Sequence, residues 1–195
     1  MAIPNLLLVD DDRLILSTVA NGLREFGYRV SSVDSLDDAE EHLSMGNRPD
    51  MVLLDLNLPK GHGLDLVDSL RDLDNIPFVV FSAYSDARTV ERATEVGALG
   101  YMVKPLDVPQ MVPTIEAALV RARELSQLRA TGEQLQTALD SERNINVAVG
   151  ITMMQHKLSR DDAFKRLRAT ARTQRRKLAD LATDIVRSIE VLHNT

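Results

Sequence analysis

Three aspartates stand in a row at positions 10–12, directly after the apolar run "NLLLV" (5–9). A fourth, Asp55, closes an apolar run in "VLLDLNLPKGHG", Ser82 closes "IPFVVFS", and Lys104 closes "LGYMVK" just before Pro105. Carboxylates grouped beside apolar segments repel one another, and removing them from water is costly unless a cation offsets the charge. Asp10, Asp11 and Asp55, with the backbone carbonyl of Asn57, would make an oxygen-rich, hard-cation site suited to Mg²⁺. The Lys104 ammonium and the Ser82 hydroxyl add positive charge and a donor, which suits a phosphoryl group. A bound cation would resolve the repulsion and leave Asp12 to cap the helix that follows. Each signal alone is weak. Four run ends in order, each with a chemically compatible residue, are much harder to reach by chance.

These residues need elements that bring them together. "NLLLVD" (5–10), "YRVSSV" (28–33), "DMVLLD" (50–55), "IPFVVFS" (76–82) and "LGYMVK" (99–104) read as five short strands. Most are near-continuous apolar runs, as expected of strands buried on both faces of a parallel sheet. Helical patterns lie between them. Leu14, Leu16, Val19, Leu23 and Phe26 form one stripe, ended by Gly27. Ser35 is positioned as an N-cap, with Asp38 three residues on. Leu64, Val67 and Leu70 mark a third helix, and Val90, Ala93 and Val96 a fourth, closed by Gly97. Five strand–helix units imply an open, doubly wound α/β sheet, whose ligands bind at the carboxyl ends of the strands.

The fifth helix starts near Val108 and does not stop at ordinary length. From Thr114 to about Met154 there is no proline, and the only glycines are Gly132 and Gly150. Leu125, Leu128, Gly132, Leu135 and Leu139 are spaced 3, 4, 3, 4, a heptad seam with one poor member. This stripe predicts a short coiled coil over 124–143 and a homodimer. The tail, 144–195, has three helical segments and no strand signal: Ile145, Ala148, Ile151 and Met154 line the first, Ala163, Phe164, Leu167 and Ala171 the second, and Leu178, Leu181, Ala182, Ile185 and Ile189 the third. Ser159 is the expected N-cap of the second.

Charge divides the chain in the same way. Residues 1–123 hold 11 Lys and Arg against 20 Asp and Glu, whereas residues 141–195 hold 11 against 6. An acidic front and a basic back point to two modules with different partners. The absence of cysteine excludes disulfides and thiolate metal sites. No run approaches the roughly 18 apolar residues of a membrane span, and the N-terminus lacks the basic start and long apolar core of a signal peptide. A cytoplasmic location, away from membranes, is expected.

Residues 1–123 resemble the receiver domain of bacterial two-component response regulators, on the acidic pair in "VDDD", "LLDLNLPKGHG", "FSA" and "GALGYMVKP". The resemblance implies a flavodoxin-like sheet of strand order 2-1-3-4-5. It implies that Asp55 is the phosphoacceptor and that Asp11, Asp55 and the Asn57 carbonyl bind Mg²⁺, with Asp10 acting through water. Ser82 and Ala83 would meet the phosphoryl group, Lys104 would pair with it, Pro105 would follow a cis bond, and Tyr101 would turn inward when Ser82 moves. A histidine kinase is the implied partner, and the chain is not an enzyme in the metabolic sense.

The tail is similar to the ANTAR domain of transcription antitermination regulators, on Leu139, Arg143, Ile145, Ala148, Gly150, Ile151, Met153, Met154, Ala163, Leu167, Arg168, Ala171, Leu178 and Ala182. This resemblance implies binding to leader RNA hairpins that prevents a terminator from forming. Lys165, Arg168, Arg172, Arg175, Arg176 and Lys177 are the candidate RNA contacts. Val149 stands where relatives usually carry lysine, so that one contact is lost if that lysine touches phosphate, and Thr152 stands where leucine is usual. Phe164 is expected in the core, Met153 and Met154 as core or dimer filler, and His156 and His193 as surface residues. The alternatives are a receiver with a protein-interaction or dimerisation output, or with a DNA-binding helical output; the tail is short for a winged helix and has no clear recognition-helix pattern.

Overall fold

The apolar runs become strands β1 (Asn5–Val9), β2 (Arg29–Val33), β3 (Met51–Leu54), β4 (Phe78–Ser82) and β5 (Tyr101–Val103) of one parallel sheet, ordered β2-β1-β3-β4-β5. The computed structural model describes residues 3–58, 61–73, 75–83, 86–105 and 107–193. It divides into two compact units, 1–125 and 126–195.

In the first unit, alternate strand residues point to opposite faces. Leu6, Leu8, Leu53, Val79 and Phe81 form one core with α1 (Arg13–Glu25) and with Met111, Ile115, Ala118 and Leu119 of α5 (Val108–His156). Leu7, Val9, Val52, Leu54 and Val80 form the other with α2 (Leu36–Ser44), α3 (Leu66–Asp72) and Ala93 of α4 (Ala87–Glu95).

Helix ends follow local chemistry. The Asp12 carboxylate accepts the N–H groups of Leu14 (2.8 Å) and Ile15 (3.3 Å), as expected for an N-cap. Ser35 Oγ accepts from Asp38 N–H at 3.2 Å and donates to its carboxylate at 2.6 Å. Gly27 and Gly97 close α1 and α4 at φ +91° and +95°, a region costly for other residues. The first apolar stripe needs correction. Leu16, Val19 and Leu23 are buried with Ala20, but Leu14 and Phe26 are exposed. Leu14 lies in the first turn and Phe26 at the C-cap.

The second unit holds α5 from Ser126 onward, α6 (Arg160–Thr173) and α7 (Leu178–His193). Ser159 caps α6, accepting from Asp162 N–H at 3.2 Å. The core is Ala148, Val149, Ala163, Leu167, Ala171, Leu181 and Ala182. Ile145, Met153, Leu158, Leu178 and Ile185 pack around it, and Asn144 Nδ2 donates to Thr183 Oγ1 at 3.1 Å.

Phe164, expected in the core, is 39% exposed, and Met154, expected to line the helix end or fill a dimer, is 84% exposed and outside the core of the unit. Val149 is buried in that core. The cause is the alanine content of the interface: small side chains let the helices approach closely, and each step along a helix turns the next residue by about 100°. Ala163 and Val149 face inward, and Phe164 and Met154 are turned out. The side chains of Ile189 and His193 lie outside the described residues.

Candidate functional site

Strand register assembles the acidic cluster. Val9 pairs with Leu54, so Asp10 and Asp55 leave adjacent strands side by side, and the Asp55 N–H is donated to the Val9 carbonyl at 2.9 Å. Ser82 pairs with Val103, so Lys104 follows next to Ser82 and donates its N–H to the Ser82 carbonyl at 2.9 Å. The Lys104–Pro105 bond is cis. The loop after Asp55 folds back as a two-residue antiparallel ribbon, Asn57–Leu58 with Gly61–His62, and ends on Gly63. Gly63 donates to the Leu56 carbonyl at 3.0 Å. A Cβ at Gly63 would lie 2.0 Å from the Asp55 carbonyl oxygen, so only glycine fits.

The centre of the site is an ammonium between two buried carboxylates. Lys104 Nζ donates to Asp10 Oδ2 at 2.5 Å and to Asp55 Oδ2 at 2.6 Å. The three side chains are 11%, 1% and 6% exposed. The other oxygens are held locally: Asp10 Oδ1 accepts from Asp12 N–H at 3.0 Å, and Asp55 Oδ1 from Asn57 N–H at 3.1 Å. Lys104 Nζ also lies 5.1 Å from the centroid of the Phe81 ring. Burial pushes the Asp10 carboxyl above its usual range, against the Lys104 and Asp12 hydrogen bonds. At Lys104 burial opposes the charge, but the Asp10 and Asp55 carboxylates outweigh it and raise its pKa. The ammonium is therefore the firmly held charge of the site.

Carboxylate oxygens of Asp10, Asp11 and Asp55 lie within 4.8 Å of one another, with Asp11 exposed. Three carboxylates against one ammonium leave the cluster two positive charges short, the charge of one divalent cation, and the donor set is the all-oxygen kind that Mg²⁺ takes. The residues present thus fit that ion. Ser82 is fully buried beside the cluster and shares a hydrogen bond with Tyr101, which is partly buried. Burial raises the Tyr101 phenol pKa, the Ser82 bond opposes the rise, and the charges of Asp86 and Asp55 add to it. Ala83 is exposed at the end of β4.

In the second unit, Lys165, Arg168, Arg172, Arg175, Arg176 and Lys177 are all exposed. Lys165 pairs with Asp162 at 3.9 Å and Arg176 with Asp184. No ion pair holds Arg168, Arg172, Arg175 or Lys177 among the described residues, so those charges face solvent. Leu125, Leu128, Leu135 and Leu139 are exposed along α5, at 38%, 70%, 61% and 53%.

Two family models match the chain: the response regulator receiver domain over residues 6–116 and the ANTAR domain over residues 133–186. The transcriptional regulatory protein PdtaR of Mycobacterium tuberculosis is 30% identical over 191 residues, which cover 96% of this chain and 92% of PdtaR. The transcriptional regulatory protein PrrA of the same organism is 38% identical over 120 residues, covering 60% of this chain and 51% of PrrA. Among solved structures, the non-phosphorylated HemR receiver domain of Leptospira biflexa superposes with a TM-score of 0.54 at 32% identity, over 60% of this chain and 94% of that domain. No helix among the described residues is long and apolar enough to cross a membrane. The buried lysine–carboxylate cluster at the carboxyl ends of a 2-1-3-4-5 sheet and the helical tail, together with these matches, make the chain a member of the response regulators that join a receiver domain to an ANTAR domain.

Proposed function

We propose that this protein is phosphorylated on Asp55 by a histidine kinase and then binds hairpin RNA in transcript leaders, preventing transcription termination, in the cytoplasm and as a homodimer joined along Leu125, Leu128, Leu135 and Leu139. The observation that carries the first half is the Lys104 ammonium held between two buried carboxylates, one of them at the mouth of β3 beside solvent-facing Asp11. An Asp55 carboxylate oxygen attacks phosphorus, the bond from phosphorus to the kinase imidazole nitrogen breaks, and the imidazole leaves with the electron pair. Asp10, Asp11, Asp55 and the Asn57 carbonyl would hold Mg²⁺, whose role is to neutralise charge on the transferring oxygens. Lys104 then pairs with a phosphoryl oxygen, and the Ser82 hydroxyl leaves Tyr101 to donate to another. That exchange biases the Ser82–Tyr101 pair between two arrangements.

The RNA half rests on the basic, solvent-facing Arg168, Arg172, Arg175 and Lys177 and on the ANTAR match. Binding of this kind is dominated by phosphate charge and weakens as salt rises.

The test uses the full chain, a small acyl phosphate donor with Mg²⁺, and filter binding to stem-loop RNAs at two salt concentrations. The wild type should gain one phosphoryl group by intact mass, Asp55→Asn none, and loaded protein should hold RNA more tightly. Phosphorylation surviving Asp55→Asn would overturn the receiver half. A duplex DNA footprint, or no RNA retained in either state at low salt, would overturn the RNA half in favour of a DNA-binding or protein-interaction output.

A further inference from the structure

A cleft of about 160 Å³ opens within the second unit, between the end of α5, α6 and α7. Leu167 and Leu181, both buried, and partly buried Ile185 supply its apolar lining. Its rim is polar, with exposed Gln155, His156 and Arg166. Thr152 and Thr170 also line it, and their hydroxyl protons are committed to the carbonyls of Ala148 (2.8 Å) and Arg166 (3.0 Å), so those oxygens retain only acceptor capacity. A cavity of about 150 Å³ holds one six-membered ring. A cleft of this size, lined by both apolar side chains and the polar residues Gln155 and Arg166, matches a planar heterocycle with a hydrogen-bonding edge. A phosphate would leave the apolar lining uncovered.

We propose that this cleft is the base-reading pocket of the RNA-binding unit: it takes one unpaired nucleobase from an RNA loop, with Gln155 and Arg166 meeting the base edge. The proposal rests on the RNA-binding reading above and assigns it a division of labour. Arg172 and Arg175, outside the cleft, supply phosphate attraction without sequence information, whereas the cleft supplies sequence. Loop bases splayed out of the stack are the ones RNA-binding proteins read in this way.

The test begins with selection of stem-loop RNAs from a pool with randomised loops by the full-length wild type. The selected RNA is then measured against a scrambled-loop control, and with each loop base removed in turn to leave an abasic sugar. Gln155 and Arg166 are exposed, so Gln155→Ala/Arg166→Gln should fold as the wild type does, which circular dichroism checks. The double variant should lose about 10- to 100-fold of the preference for the selected loop, the size of one lost base contact. It should retain most of its affinity for the scrambled control. One abasic position should cost the wild type the same factor and cost the variant nothing further. Arg172→Gln/Arg175→Gln should instead weaken both RNAs alike. Rim variants that keep the full preference, or that are further weakened at every abasic position, overturn the pocket while leaving RNA binding intact. A wild type that enriches no loop at all overturns the RNA reading itself.

Discussion

Replacing Lys104 by methionine removes the one cation shared by two carboxylates that are 1% and 6% exposed, while keeping most of the side-chain volume. Breaking a buried ion pair from one side leaves uncompensated charge and costs about 3–5 kcal/mol. With an urea slope of about 2 kcal/mol/M, that is a midpoint shift of about 1.5–2.5 M. A chain with two units need not unfold in one step, so the probe must report on one of them. Tyr28, Tyr84 and Tyr101 all lie within residues 1–125 and the chain has no tryptophan, so intrinsic tyrosine fluorescence follows the receiver unit alone. In a chelator, Lys104→Met should shift the fluorescence midpoint by the amount above. Added Mg²⁺ should recover more stability in the variant than in the wild type, because a divalent cation supplies the charge that the ammonium no longer does. Asp10→Asn combined with Lys104→Met should be less destabilised than the two single effects added, with coupling above about 1 kcal/mol. A Lys104→Met midpoint within about 0.5 M of the wild type in chelator would refute the charge argument, since that is at most about 1 kcal/mol on the same slope.

Gly63→Ala would drive a methyl group to 2.0 Å from the Asp55 carbonyl oxygen; displacement of Asp55 by about 1 Å should slow phosphoryl incorporation about 100-fold in an initial-rate assay, and unchanged labelling would contradict the contact. Tyr28 is 6% exposed, donates to the Glu116 carboxylate, and has its phenol pKa raised by burial and by that partner. A group raised in the folded state stabilises below its unfolded pKa, about 10 for tyrosine, and loses that contribution as pH climbs through the folded value. Tyr28→Phe should therefore cost about 2 kcal/mol at neutral pH by urea denaturation followed with circular dichroism, and the gap should narrow above about pH 10; a gap independent of pH would count against it. Leu128→Lys/Leu135→Lys should leave the receiver midpoint unchanged and turn a dimeric sedimentation profile monomeric; identical sedimentation would place the self-association elsewhere.

The receiver unit was legible for a physical reason. Strands buried on both faces need unbroken apolar runs, so their ends stand out, and the residues at those ends, Asp10, Asp55, Ser82 and Lys104, gather there as the candidate site. The caps Asp12, Ser35 and Ser159 and the closing Gly27 and Gly97 were legible because each performs a local task within a few residues. The tail was harder to read. Its core is largely alanine, at 148, 163, 171 and 182; the sequence stripes include all four, but alanine marks a face only weakly, so they also take in Phe164 and Met154, which are exposed, and pass over Val149, which is buried. The Tyr28–Glu116 bond joins residues 88 apart with no local signature. The cleft in the tail was equally hidden, because it takes Gln155, Arg166 and Leu181 from three helices and none of them forms a motif alone.

Thr152, where the resemblance places a leucine, has its hydroxyl inside the tail and lines that cleft. A leucine there would push a branched hydrocarbon end toward the opening and remove an acceptor oxygen. Two proteins that differ at this position would therefore present cavities of different shape and polarity on otherwise similar folds. On the proposal that this cleft reads a loop base, two such proteins would prefer different loop bases. Selectivity between parallel output units would then depend on this buried side chain as well as on Gln155 and Arg166, downstream of any kinase choice.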